Sequence, residues 1–206
     1  MRLRCVPGGF RAPNLQQRAE VTKAFLDGSQ LLASGVVPSV VTRRILPSDA
    51  AALMAIYNAE VLESTVTMDI VARTLPDQLA WIEAHRGVHG AVVACDADPT
   101  TGEERVLGFA SISPWRSRAA YSTSVENSVY VDRDQQNRGI GRILLDDVLR
   151  VGAESGFHTC FARIMSGHEA SIRLHASRGF ELVGIEREVA RKFGRWIDVT
   201  VMQKML

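Results

Sequence analysis

The chain has 206 residues, with 24 Lys and Arg against 23 Asp and Glu and a net charge of +1. That length suits one domain with a full core rather than two. The balanced charge leaves no global field to draw the protein onto nucleic acid or an anionic membrane, so any anion site must be local. Cys5, Cys95 and Cys160 are odd in number and widely spaced, without a CxxC pair, which points to a reducing, cytoplasmic setting. No run approaches the roughly 18 apolar residues that a membrane span requires.

Residues 1–39 carry Pro, Gly, Asn and Ser breakers and one modest helical stretch from Leu15 to Leu26. They read as an N-terminal extension of unknown role, ahead of a regular domain over 40–206. Arg2, Arg4 and Arg11 are offset by Glu20 and Asp27 with no amphipathic stripe, so no targeting segment is expected. From Val40, "VVTRRIL" is a strand, and Pro47-Ser48-Asp49 opens a helix with apolar Leu53, Ile56, Tyr57 and Val61 at helical spacing. Leu75 to Arg86 is a second helix. "GAVVACD" and "RVLGFASIS" form a hairpin, and Ser124 to Val131 is the next strand. A long helix runs from Gly139 to Ser155, a strand from His158 to Met165, and a helix through "HEASIRLHASRGF" to Gly179. "ELVGIEREVARKF" and "RWIDVTVMQKML" are two final strands. The order β α α β β β α β α β β predicts a mixed α/β (α+β) architecture around one sheet.

The stretch Arg138-Gly139-Ile140-Gly141-Arg142 stands between the strand ending at Val131 and the long helix. A helix N-terminus leaves N–H groups unpaired and carries partial positive charge, so it can receive an anion. Two glycines let a phosphate approach the backbone, and two arginines add charged donors. The other reading of such a glycine pair is a tight strand-to-helix turn. Nucleotide readings lose ground, because neither a Gly-Lys-Ser/Thr loop nor a G-x-G-x-x-G run is present.

Gln136-x-x-Gly139-x-Gly141, after a strand and opening a helix, resembles the acetyl-coenzyme-A pyrophosphate motif of the GNAT N-acetyltransferase superfamily. Together with "SVENSVYV", "ASIRLHASRGF" and "KFGRWIDVTVMQ", it resembles the phosphinothricin/methionine-sulfone acetyltransferase branch over roughly residues 41 to 206. The resemblance implies a GNAT-like mixed, mostly antiparallel sheet flanked by helices. It implies acetyl-CoA as acyl donor with no metal, a small amino-acid or amine acceptor, and a homodimer.

The period-two rule puts Glu126, Ser128 and Tyr130 on one strand face and Val125, Val129 and Val131 on the other. Glu126 matches the family position of the general base, and the bland reading of it is an exposed strand carboxylate. The resemblance further implies that a bulged strand offers Val129, Tyr130 and Val131 to the acetyl and pantetheine portion. By the same resemblance Gln136, Asn137, Arg138, Gly139, Ile140, Gly141, Arg142 and Ser171 lie along the cofactor. His168 stands where relatives commonly have an asparagine that binds it. His175 is expected either as an acid or acceptor contact, or as a packed helix residue. Met68 replaces a pocket phenylalanine. Arg118 and Tyr121, with Ser128 and Tyr130, match substrate-side positions, where an arginine can hold a carboxylate. The leading activity is acetyl transfer to the α-amine of a small amino acid or analogue by direct attack in a ternary complex. Its alternatives are acetylation of a protein N-terminus or another amine, and a non-catalytic acyl-CoA-binding module.

Overall fold

The computed structural model describes residues 40–98 and 100–206, and the helix expected at 15–26 lies outside them. In chain order it forms β1 (Val41–Arg44), α1 (Ala50–Glu63), α2 (Leu75–Ala84), β2 (Ala91–Ala97), β3 (Glu104–Pro114) and β4 (Ser124–Val131). There follow α3 (Ile140–Glu154), β5 (Thr159–Met165), α4 (Glu169–Ala176), β6 (Glu181–Lys192) and β7 (Arg195–Met205). The order of strands and helices is the one expected from periodicity. Among the described residues no helix is long and apolar enough to cross a membrane.

The seven strands make one sheet in the order β1-β2-β3-β4-β5-β7-β6, antiparallel at every step except β4 to β5. A parallel step needs a crossover, and α3 supplies it. The helix is strongly amphipathic: Ile140, Leu144, Leu145, Val148 and Val151 are buried and pack against Val92, Ala110, Ile112 and Val125 on one sheet face. Each such side chain contributes on the order of 1.5–3 kcal/mol relative to exposure. On the opposite face Leu53, Tyr57 and Val61 of α1 and Ile82 of α2 cover Val93 and Phe109.

Local chemistry sets the helix ends. Asp49 accepts the Leu46 N–H at 2.8 Å as the chain turns into α1. In front of α2, Thr74 accepts the Asp77 N–H while Asp77 accepts the Thr74 N–H at 3.0 Å, a reciprocal cap. The β6–β7 turn is Phe193-Gly194, both at positive φ (51° and 76°), the type I′ geometry that matches strand twist.

The expected bulge in β4 is absent, because β3 and β4 pair without interruption from Gly108↔Val131 to Pro114↔Val125. The register breaks fall instead in β2–β3, at Ala94/Cys95, and in β6–β7. Cleft-facing backbone arises instead where β4 and β5 part.

Candidate active site

β4 pairs with β5 only through Ser124↔Thr159, Val125↔Cys160 and Glu126↔Phe161, after which the two strands part. The hydrogen bonds at the ends of the β3–β4 ladder set its phase: Trp115 N–H donates to Ser124 O (3.2 Å) and Asp132 N–H to Leu107 O (2.9 Å). Antiparallel pairs alternate between bonded and non-bonded positions, so the even-numbered residues of β4 spend their backbone groups on β3. Asn127, Val129 and Val131 therefore turn N–H and C=O into the gap. Of the three residues expected to offer backbone there, Val129 and Val131 do so. The Tyr130 backbone is committed to β3, while its ring packs on Tyr57 and Phe109 at 5.1 Å between centroids.

A cleft of about 410 Å3 runs from this gap to the start of α3. Val129, Tyr130, Val131, Gln136, Asn137, Gly139, Ile140, Gly141, His168 and Ser171 line it, which gathers most of the expected cofactor residues. Asn137 (φ 61°) and Gly139 (φ 80°, left-handed) bend the chain so that α3 points its N-terminus into the cleft. No acidic residue occupies the first turn of α3 to neutralise that end. Arg138 and Arg142 are exposed outside the lining, and Arg138 bonds the side chain of Gln135. His168 precedes α4, and its Nε2 lies 3.2 Å from Thr65 Oγ1, linking α4 to the loop after α1.

A second cavity of about 330 Å3 opens on the other side of the same gap and shares Val66, Val129, Tyr130, His168 and Ser171 with the first. Glu126, Ser128 and Met68, three of the expected site residues, line it. Burial pushes the Glu126 carboxyl above its ordinary value, Arg163 pulls it back, and Glu186 adds to the rise. Tyr57 donates to Asp69 and lies 3.1 Å from Thr67 Oγ1, with Arg73 stacked 3.8 Å from its ring centroid. Arg118 and Tyr121 are exposed on the β3–β4 connection and line neither cavity. Among the described residues no group of three or more His, Cys, Asp or Glu gathers as a metal site.

His175 lines this cavity but is buried with both ring nitrogens facing protein oxygens, Nδ1 at 2.8 Å from Ser171 O and Nε2 at 3.0 Å from Asn127 Oδ1. Burial lowers its pKa. The ring is thus held between α4 and β4 at the edge of the cavity, one nitrogen facing each element.

Asn127, Arg163 and Lys192 escaped the sequence reading. Asn127 sits among the valines of the apolar strand face, and its Nδ2 donates to Phe161 O at 3.0 Å at the point where β4 and β5 part. A lone amide on an apolar face was the signal for it. The buried Lys192 donates to Thr67 O (2.9 Å) and Glu60 O (3.3 Å), and so ties the loop after α1 to β6. Asn127→Ala should lower stability by about 1–3 kcal/mol, because Phe161 O and His175 Nε2 lose their partner while buried. Thermal unfolding checks this, and an unchanged midpoint would count against the bridge.

Residues 43–201 match the family model described as Acetyltransferase (GNAT) domain. A phosphinothricin N-acetyltransferase from Streptomyces coelicolor is 39% identical over 160 residues, 77% of this chain and 91% of that one. An L-methionine sulfoximine/L-methionine sulfone acetyltransferase from Pseudomonas paraeruginosa is 40% identical over 157 residues, 76% and 88% of the two chains. The crystal structure of a phosphinothricin acetyltransferase from Sinorhizobium meliloti, in complex with acetyl-CoA, superposes with a TM-score of 0.75 at 31% identity. It covers 81% of this chain and 88% of that one.

Proposed function

The chain belongs to the GNAT acetyltransferase family, and from that membership we propose that it acetylates the α-amine of a small amino acid or analogue, with acetyl-CoA as donor, by direct attack in a ternary complex. The acceptor class is that of phosphinothricin, methionine sulfone and methionine sulfoximine, named in its relatives. The observation that carries the reading is the pair of cavities meeting at Val129 and Tyr130, with Glu126 in one and the α3 N-terminus in the other. A ternary complex needs two such chambers sharing one wall.

The first cavity fits the donor. Its uncapped α3 N-terminus suits a pyrophosphate, and the free N–H and C=O groups of Val129 and Val131 suit the amide-rich pantetheine arm. Bound acetyl-CoA supplies an acetyl group activated as a thioester. Amines are mostly protonated near neutral pH, so Glu126 must first accept a proton from the acceptor ammonium, directly or through one water. The neutral amine then forms the N–C bond while the C–S bond breaks. The N–H of Val129 or Val131 meets the charge developing on the carbonyl oxygen. The amine's second proton goes to the departing sulfur or to solvent. His175 acts here as a positioning residue that holds Asn127 and α4 beneath the shared wall.

Residues 1–39 form an extension to this domain in the same reading, and the enzyme is cytoplasmic and homodimeric. The dimer is supported by the edge strand β6, where Leu182, Val183, Ile185 and Val189 are exposed, together with Trp196 on β7.

Two experiments test the reading. A Cβ at Gly141 would stand 3.5 Å from Leu174 Cδ2 and 3.7 Å from Val131 Cγ2, ordinary contacts that the fold accommodates. Gly141→Ala should therefore keep the parent's unfolding midpoint while weakening acetyl-CoA binding in calorimetry by about tenfold, because the methyl intrudes where the phosphate approaches. Parental affinity would remove the α3 turn from the donor site. Thiol release from acetyl-CoA should appear with methionine sulfone, methionine sulfoximine or phosphinothricin. Turnover confined to peptides with free N-termini would overturn the acceptor assignment.

A further inference from the structure

The acceptor cavity contains a charged device that none of the roles above uses. Arg163 lines it, and among its described lining residues Arg163 is the one Arg or Lys. The nearest alternatives are engaged elsewhere: Arg73 stacks on Tyr57, and the Lys192 ammonium is bonded to two carbonyls. Paired residues on neighbouring strands share a sheet face, and side chains alternate along each strand. Glu126 pairs with Phe161, so Arg163, two residues further along β5, lies on the Glu126 face. Across β7, Arg163 pairs with Val201 and Glu186 with Val199, so Glu186 lies on that face too. Only valine side chains separate the two, and Arg163 Nη2 donates to Glu186 Oε2 over them. A row Glu126, Arg163, Glu186 thus crosses β4, β5 and β6.

We infer that Arg163 holds the α-carboxylate of the acceptor, and that Glu186 is the stand-in partner that the carboxylate displaces. The inference deepens the reading above and rests on it. The Arg163 and Glu186 side chains retain 31% and 33% of their exposure. An ion pair this accessible is worth little, so exchanging one carboxylate for another costs little. Of the five guanidinium donors, one nitrogen bonds Glu186, while Nε and Nη1 have no acceptor among the described residues. They are free to grip a second carboxylate in the forked geometry that arginine favours. β6 can yield locally, since its register with β7 breaks just after Glu186 and Glu188 takes a positive φ of 49°. The geometry also orders the two ends of a zwitterion: the amine goes to Glu126 and the carboxylate to its neighbour on β5. Glu186 would then select against acceptors that bring no carboxylate of their own, because nothing draws Arg163 from it.

The test compares methionine sulfone with 3-(methylsulfonyl)propylamine, which keeps the amine and the sulfone and lacks only the carboxylate. Thiol release is measured for the parent, Arg163→Gln, Arg163→Lys and Glu186→Gln. The ratio of KM for the amine to KM for methionine sulfone should exceed one in the parent. Arg163→Gln should shrink it by several-fold to about tenfold, as expected for one partly exposed charge pair, through a higher KM for methionine sulfone. Arg163→Lys should restore part of it. Glu186→Gln should move it the other way, with a several-fold lower KM for methionine sulfone, whereas a merely structural ion pair would raise KM on losing either member. An equal effect of Arg163→Gln on both compounds would overturn the inference and show that Arg163 acts only through Glu126. A parental ratio in both single-charge variants would overturn it as well. If the parent turns over the amine or peptides and not methionine sulfone, the proposed function falls and the inference with it. If the parent uses methionine sulfone and the variants do not discriminate, only the inference falls.

Discussion

Glu126→Gln lowers kcat/KM by roughly 10²–10⁴-fold, the range for a positioned acid–base group, and leaves acetyl-CoA affinity close to the parent's. Glutamine keeps the shape of the side chain and its place in β4 but cannot accept a proton. The donor cleft is untouched, because Glu126 lines only the acceptor cavity. The pH dependence has a definite sign. Burial raises the Glu126 carboxyl above its ordinary value, so the ionised, proton-accepting form is lost at a higher pH than for an exposed glutamate. The parent's kcat/KM should therefore rise with pH through that elevated value, and the glutamine variant should lose this limb. Arg163 opposes the rise, so its removal should move the limb to still higher pH. Parental activity in Glu126→Gln across about pH 6 to 9 would dismiss the carboxylate as the base.

Where local pattern alone governs, the sequence was legible. The strand Ser124–Val131 is legible in full, because its β-branched alternation ends at Asp132. The bounds of the amphipathic α3 follow from its pattern to within a residue at each end, its buried side chains recurring at three- and four-residue spacing. What depended on pairing was not legible. Nothing within β4 announces that β5 leaves it after Glu126, since strand partners are chosen by the whole sheet. The free backbone at Val129 and Val131 comes from that parting and not from the bulge the family resemblance implies. Arg118 matches a carboxylate-binding position by resemblance alone, and the fold leaves it exposed on a connection. Arg163 is hidden by its apolar strand, although an arginine within "TCFARIM" must bring a charge to whatever that face covers. The burial of His175 follows from the facing amide of Asn127, a contact between residues 48 positions apart.

Gly108→Ala should be the most damaging single methyl in the sheet, although Gly108 lines neither cavity. It pairs with Val131 on β4, and a Cβ there would stand 2.6 Å from Tyr130 O, 3.0 Å from Val131 Cα and 3.1 Å from Leu144 Cδ1. The leucine tip can rotate, but the first two atoms are backbone, so β4 itself must move. Overpacking of this kind typically costs about 1–3 kcal/mol, which for a chain of this size lowers the unfolding midpoint by roughly 2–10 °C. The segment forced to shift is the one whose N–H and C=O groups face the donor cleft, so acetyl-CoA affinity should fall along with stability. Gly184→Ala on β6 is the matched control, since nothing lies within 4 Å of its Cβ position, and it should leave both quantities near the parent's. Calorimetric binding beside thermal unfolding decides the matter. Parental values of both in Gly108→Ala would mean that the β3–β4 approach is not the constraint that shapes the cleft.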